Sequence, residues 1–350
     1  MKKSNNKPPY KLFGMIFLVI IGVAVFNGLR KNDHVQLLVP DNAGVSVLET
    51  AGEELVCVFK GGQVASWDWG DLSRRQADFS IGTDRVIVLD AGRLAAVSVD
   101  GKKRLSVYRL PDGEKIKDIA VGFADQEVWP RMSFDKRRVA VIRQNPAAAG
   151  TVLYEFLTVD LDKALTGIPV SLAIDPETAA FVEYAVDAAG CLYAVGSKEK
   201  IGRIVTVDLE KGTTLWDRTY EGTGEFCSVI ASPDNTFLLA GNRNGMLYKL
   251  AAETGDVLKE ISLLEPGETR PITNDYSVLH LTFSPDGRSY AAAINPRVYL
   301  LKAENDSIFH TATPADKLVS KIAFSPDNAF VATSDIRQSY PVKIWPLPQE

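Results

Sequence analysis

The chain is short of the residues that carry most enzymatic chemistry. Its 350 residues include three histidines (His34, His280 and His310) and three cysteines (Cys57, Cys191 and Cys227). No C-x-x-C pair occurs, and three scattered cysteines cannot build a disulfide framework. Each cysteine falls in an apolar run, where a free thiol packs as a small hydrophobe. There is no G-x-S-x-G nucleophile elbow, no H-E-x-x-H zinc helix and no G-x-x-x-x-G-K-[ST] phosphate loop. Those absences exclude the common α/β-hydrolase, zincin and P-loop designs. Sustained helical periodicity is also missing past residue 34.

Basic charge is scarce outside the N-terminus. Residues 1–33 hold Lys2, Lys3, Lys7, Lys11, Arg30 and Lys31 against Asp33, a balance of +5 in a chain whose net charge is −5. The other 317 residues therefore carry −10. An acidic body argues against nucleic acid as a partner, because that binding is dominated by neutralising phosphates. What remains is an ordinary globular composition, 46% hydrophobic and 24% charged, long enough to bury a large core.

One long apolar run is present. Leu12 to Leu29 contains no charge and would span about 27 Å as a helix, enough to cross a hydrocarbon core. Four lysines precede the run, whereas only Arg30 and Lys31 follow closely. That bias predicts residues 1–11 in the cytoplasm, 12–29 as a signal-anchor helix in the lipid bilayer, and 30–33 as a linker to an exported body. A cleaved signal peptide is the alternative, with Gly22 and Ala24 as the small-x-small pattern, though bulky Phe26 follows. Both readings put residues 34–350 outside the cytoplasm, in the periplasm if the source is a Gram-negative bacterium.

Beyond residue 34, apolar runs of four to eight residues alternate with Gly, Asp, Asn and Pro breaks, the pattern of antiparallel strands. "IASPDNTFLLAG", "LTFSPDGRSYAAA" and "IAFSPDNAFVATS" begin at Ile230, Leu281 and Ile322. Each enters S-P-D-[GN] from a strand and leaves it into another. Proline presets φ for such a turn, and Gly or Asn tolerates positive φ at its end. Weaker copies lie upstream, among them "VDAAG" from Val186 and "MSFDKRRVAVIRQ" from Met132. Anchoring each copy on its second strand marks Leu55, Leu94, Val139, Leu192, Phe237, Tyr290 and Phe330, with spacings of 39, 45, 53, 45, 53 and 40 residues. Four strands recurring at that period predict an all-β fold, a seven-bladed β-propeller of four-stranded antiparallel blades. The seventh copy has only three strands, so residues 34–40, "HVQLLVP" with Asp33 before it, are expected to close the last blade and remove two exposed edges.

On these turns, on the third-strand ending "VKIWPL" (Val342 to Leu347) and on "SWDW" (Ser66 to Trp69), the chain resembles the WD-repeat propeller family and its bacterial relatives. Pro346 replaces the Asp of the family's W-D pair, and the Gly-His dipeptide that opens typical repeats is absent. YVTN-like and pyrroloquinoline-quinone-like propellers remain open alternatives, the latter through "GTTLW" at Gly212 to Trp216. The resemblance covers about residues 35–350. It implies a noncatalytic scaffold for protein partners in the envelope or membrane, or else an enzyme or small-ligand binder using the central funnel.

In such a blade the first-to-second and third-to-fourth turns share one face, and the other connections share the opposite face. The S-P-D turns make the first face repetitive. The irregular segments 143–150, 264–276 and 334–341 fall on the other, where function tends to concentrate. They offer Arg143, Asn145, Arg270, Asn274, Asp275, Arg337, Gln338 and Tyr340, a mixture suited to protein contact. No catalytic residue, metal site or cofactor is assigned. Glu183, Glu225 and Asp275 lie on or near first strands and are the acids placed to meet in a channel. His280, within "VLHLTF", reads as a core histidine or a ligand, and Trp67, Trp129, Trp216 and Trp345 read as blade core.

Overall fold

The computed structural model describes residues 35–37, 44–98, 102–122, 126–146, 151–174, 179–264, 277–313, 319–335 and 342–348. Residues 12–29 lie outside these, and no helix among the described residues is long and apolar enough to cross a membrane. The strands form seven separate antiparallel sheets, which we number as blades 1 to 7 in chain order. Their first, axis-lining strands are Val45–Ala51, Val86–Asp90, Glu127–Met132, Ala179–Val186, Phe226–Ala231, Val278–Phe283 and Val319–Phe324. The second strands start at Glu54, Arg93, Val139, Cys191, Phe237, Ser289 and Phe330, each within one residue of its sequence anchor. The fold is an all-β, seven-bladed propeller.

Blade 3 carries an extra piece. Its outer edge is split into Leu165–Thr166 and Val170–Ile174, both paired with the third strand Val152–Asp160. Blade 7 takes its outer strand from the other end of the chain. Val35–Gln36 pairs antiparallel with Val342–Pro346, and the Leu37 amide donates to the Val342 carbonyl at 3.1 Å. An outer strand runs from the turn face toward the loop face, so the chain enters Val35 at the turn face.

The buried apolar residues fall into seven clusters, each filling the wedge between two neighbouring blades. That is why the second strands read as continuous apolar runs: both faces of the sheet are covered. "LVCVF" of blade 1 and "LLAGN" of blade 5 are buried throughout. Polar ties add to the wedges. Asp306 of blade 6, its side chain 4% exposed, accepts Lys249 Nζ at 3.0 Å and Lys259 Nζ at 3.1 Å from blade 5. It also accepts the Tyr290 hydroxyl at 3.1 Å.

The S-P-D-[GN] segments are tight turns closed from inside. In each, the serine hydroxyl donates to the aspartate at 2.6 Å, as Ser232 to Asp234, Ser284 to Asp286 and Ser325 to Asp327. The fourth position has positive φ: Asn235 at 58°, Gly287 at 70° and Asn328 at 58°. Ser133-Phe134-Asp135-Lys136 makes the same turn, with Ser133 on Asp135 at 2.6 Å and Lys136 at φ 60°. A lysine in the left-handed region is unfavourable by itself. Its side chain offsets that strain by crossing to Glu49 of blade 1 at 2.6 Å and to the Val88 carbonyl of blade 2 at 3.2 Å.

Candidate functional site: the central channel

Seven first strands surround the axis with one edge each left without a strand partner. Their backbone groups need water or a ligand, which keeps the axis polar and open. The result is a cavity of about 860 Å³ lined by all seven blades. At the turn face Phe134 of blade 3 reaches across the axis and meets Phe283 of blade 6 edge-on, ring centroids 6.2 Å apart. With the Lys136–Glu49 pair beside it, this contact narrows that end. The wider mouth lies at the loop face, bordered by Ser46, which donates to Asp84 at 2.8 Å.

A recurring irregularity sets what lines the wall. Five first strands carry a β-bulge at the same place: between Val45 and Val47, Phe181 and Glu183, Phe226 and Ser228, Val278 and His280, and Val319 and Lys321. A bulge inserts one unpaired residue and re-aims those that follow. The residue after each bulge (Val47, Glu183, Ser228, His280 or Lys321) therefore has the same register, and all five border the channel.

Glu183 is tied to its neighbours through one carboxylate oxygen. Arg131 of blade 3 donates to its Oε1 from Nη2 at 2.5 Å and from Nε at 3.1 Å, and the Tyr184 amide adds a bond at 2.9 Å. Burial raises the Glu183 carboxyl, but Arg131, the Tyr184 N–H and Lys321 outweigh it and hold the group below the usual carboxylate range. It is an ionised counter-charge, not a proton donor.

Lys321 is the opposite case. Its ammonium has no hydrogen bond or ion pair among the described residues, and burial pulls it below the usual lysine range while Glu183 works against that shift. His280 is held well below its ordinary value by burial first and by Lys321 second, so its ring is neutral at pH 7. Its Nδ1 is inaccessible and unbonded, as is the Ser228 hydroxyl beside it in blade 5. Trp129 packs against the core between blades 3 and 4 and also borders the channel, with the Arg85 guanidinium 5.3 Å above its ring. The three thiols are not nucleophile candidates. Burial, the largest influence on each, pushes Cys191 up to about 11, Cys227 up to about 12 and Cys57 higher still.

The loop-face residues expected from sequence divide in two. Arg143 and Asn145 sit on the second strand of blade 3, Val139–Pro146, and both bind Glu155, at 3.2 Å and 3.0 Å. The Arg143 and Glu155 side chains are each 14% exposed, so this cluster is turned largely inward. Arg270, Asn274, Asp275, Arg337, Gln338 and Tyr340 lie outside the described residues. Of the acids, Glu183 reaches the channel, whereas Glu225 pairs with Arg243 at 2.6 Å. Among the described residues no group of three or more His, Cys, Asp and Glu is placed to hold a metal ion. Arg131, Ser228 and Lys321 escaped the sequence reading. The available signal was the position four residues ahead of each turn Ser or Asp, which collects Glu183, Ser228, His280 and Lys321.

The buried neutral histidine has a measurable consequence. Its folded-state value is depressed, so the unfolded chain binds a proton first as pH falls through 6.5. Stability that His280 does not cost above that pH is lost progressively below it, by up to about 1.4 kcal/mol per pH unit. His280→Gln is expected to lose less stability than the wild type between about pH 7.5 and about pH 5, by up to about 2 kcal/mol, in urea unfolding of the full chain. Equal losses would show that the folded protein already accepts the proton.

No protein-family model matches the chain, and no curated protein matches it.

Proposed function

We propose that the protein is a membrane-tethered, noncatalytic propeller of the WD-repeat type that holds a protein partner on its loop face outside the cytoplasm. The observation that carries this reading is the antiparallel pairing of Val35–Gln36 with Val342–Pro346. It brings the N-terminal segment in at the turn face. With residues 12–29 in a bilayer, the turn face looks toward the membrane and the loop face away from it, free for a partner. A rigid ring of seven interlocked wedges suits presentation of irregular loops.

Affinity capture of the full chain from detergent-solubilised membranes tests the proposal. Replacing Arg270 and Arg337 together by alanine is expected to reduce recovery of the specific partner about tenfold, the loss of roughly 1.4 kcal/mol of contact energy. Undiminished capture by the double variant would remove the loop face from the account. A second reading, a small ligand held in the funnel as in quinoprotein-like or lactonase-like propellers, is favoured by Lys321 and His280, which border the channel, Lys321 without a hydrogen bond or ion pair among the described residues.

A further inference from the structure

We infer that the channel wall formed by blades 5, 6 and 7 is a binding site for a small organic acid, its carboxylate held by Lys321 and His280. The inference rests on the second reading above, and it is independent of partner capture by the loop face.

Three successive blades present their post-bulge residues at one register: Ser228, His280 and Lys321. Of these, the imidazole and the ammonium can donate hydrogen bonds to an oxyanion, whereas the Ser228 hydroxyl is inaccessible. The Ser228 residue is 3% exposed and its Oγ has no partner, nor has His280 Nδ1. Both atoms are inaccessible, so a ligand in the channel reaches neither of them. With Nδ1 walled off, Nε2 is the His280 nitrogen left to a ligand, and the Lys321 ammonium has no ion pair among the described residues.

The Lys321 ammonium favours an anion on this wall. Arg131 and Glu183 neutralise each other across blades 3 and 4, at 2.5 Å. Lys136 and Glu49 do the same at the narrow end, at 2.6 Å. Lys321 is attracted by Glu183 and Glu49 but has no ion pair among the described residues, in a site partly withdrawn from water, where its attraction for a carboxylate is strengthened. A single cation also favours a monoanion over a multiply charged phosphate. The rest of the ligand would meet apolar surface, since Val47, Trp129, Ile230 and Leu281 line the same cavity. An aromatic or branched acid fits that combination. The cavity of about 860 Å³ is large enough for such a molecule.

Benzoate titrated into the full chain in detergent is the direct probe, followed by calorimetry and by the His280 ring resonances. Those resonances are assigned by their loss in His280→Gln, which the three histidines of the chain make tractable. We expect saturable binding with a Kd of about 1 mM or tighter and a shift of the His280 signals. Benzamide, the neutral isostere, should leave them unmoved. Lys321→Met should weaken benzoate at least about tenfold, and Lys321→Arg, which keeps the charge, should retain it. The Arg variant also shows that the position tolerates change without loss of the fold. Unmoved His280 signals, equal affinity for benzamide, or full benzoate affinity in Lys321→Met would each overturn the assignment.

Discussion

Removing the closing strand opens the ring. A chain that starts at residue 44 is expected to aggregate or to be cleaved rapidly by protease, and full-length Leu37→Ala to lose about 3 kcal/mol. Leu37 is 2% exposed and packs among Leu48, Trp67, Val342 and Ile344, where blades 7 and 1 meet. Deleting its side chain leaves a cavity at the one seam that covalent connectivity does not otherwise hold. Deleting the segment does more. Val342–Pro346 then becomes a bare third-strand edge, with unpaired backbone groups and apolar neighbours, a template for pairing with other chains. Urea unfolding of the point variant, and limited proteolysis of the truncated chain against the full one, measure the two effects. A truncated chain as protease-resistant and monomeric as the full one would mean that blade 7 is complete without residues 35–37.

Gly196→Ala should be almost as damaging, for a different reason. A Cβ at this position would sit 1.9 Å from the Ala180 carbonyl oxygen and 2.9 Å from both its carbon and Phe181 Cα. All three are backbone atoms of the neighbouring strand, so no side chain can swing aside. The strand pair must separate at the bulge that places Glu183, and the expected cost is about 3 kcal/mol or more, the upper range for overpacking. Gly61→Ala is the matched comparison. That glycine has φ 90° but nothing within 4 Å of the added carbon, so it carries backbone strain alone, about 1 kcal/mol. Thermal unfolding should rank Gly196→Ala well below Gly61→Ala, and the reverse order would contradict the close approach of the strands. The Arg131–Glu183 pair should also loosen in the Gly196 variant, which links this glycine to the channel.

The repeat was legible because turn chemistry is local. Serine, proline and aspartate followed by Gly or Asn specify one backbone path within five residues, whatever lies far away. The same logic explains why "SFDK" stood out less. Lys136 takes the positive φ that Gly287 takes elsewhere, and its compensation comes from Glu49 and Val88, two blades and one blade distant. Blade count and strand order likewise followed from period and apolar runs. Trp129, read as blade core, does pack against the core between blades 3 and 4, but it also borders the channel, where an arginine covers its ring. Hydrophobicity alone does not distinguish the two environments.

The amino-acid sequence by itself determined the architecture of this protein: seven four-stranded units, their turns, and apolar second strands buried on both faces. It also carried the expectation of an N-terminal membrane segment. Only the tertiary structure decided which polar side chains share the axis. Arg131, Glu183, Ser228, His280 and Lys321 are drawn together from nearly 200 residues of chain by ring closure, the last four placed by bulges that shift each strand's register by one residue. Propensity acts over a few residues and can specify a turn. Charge pairing across a closed ring depends on distances that exist only once the ring has formed.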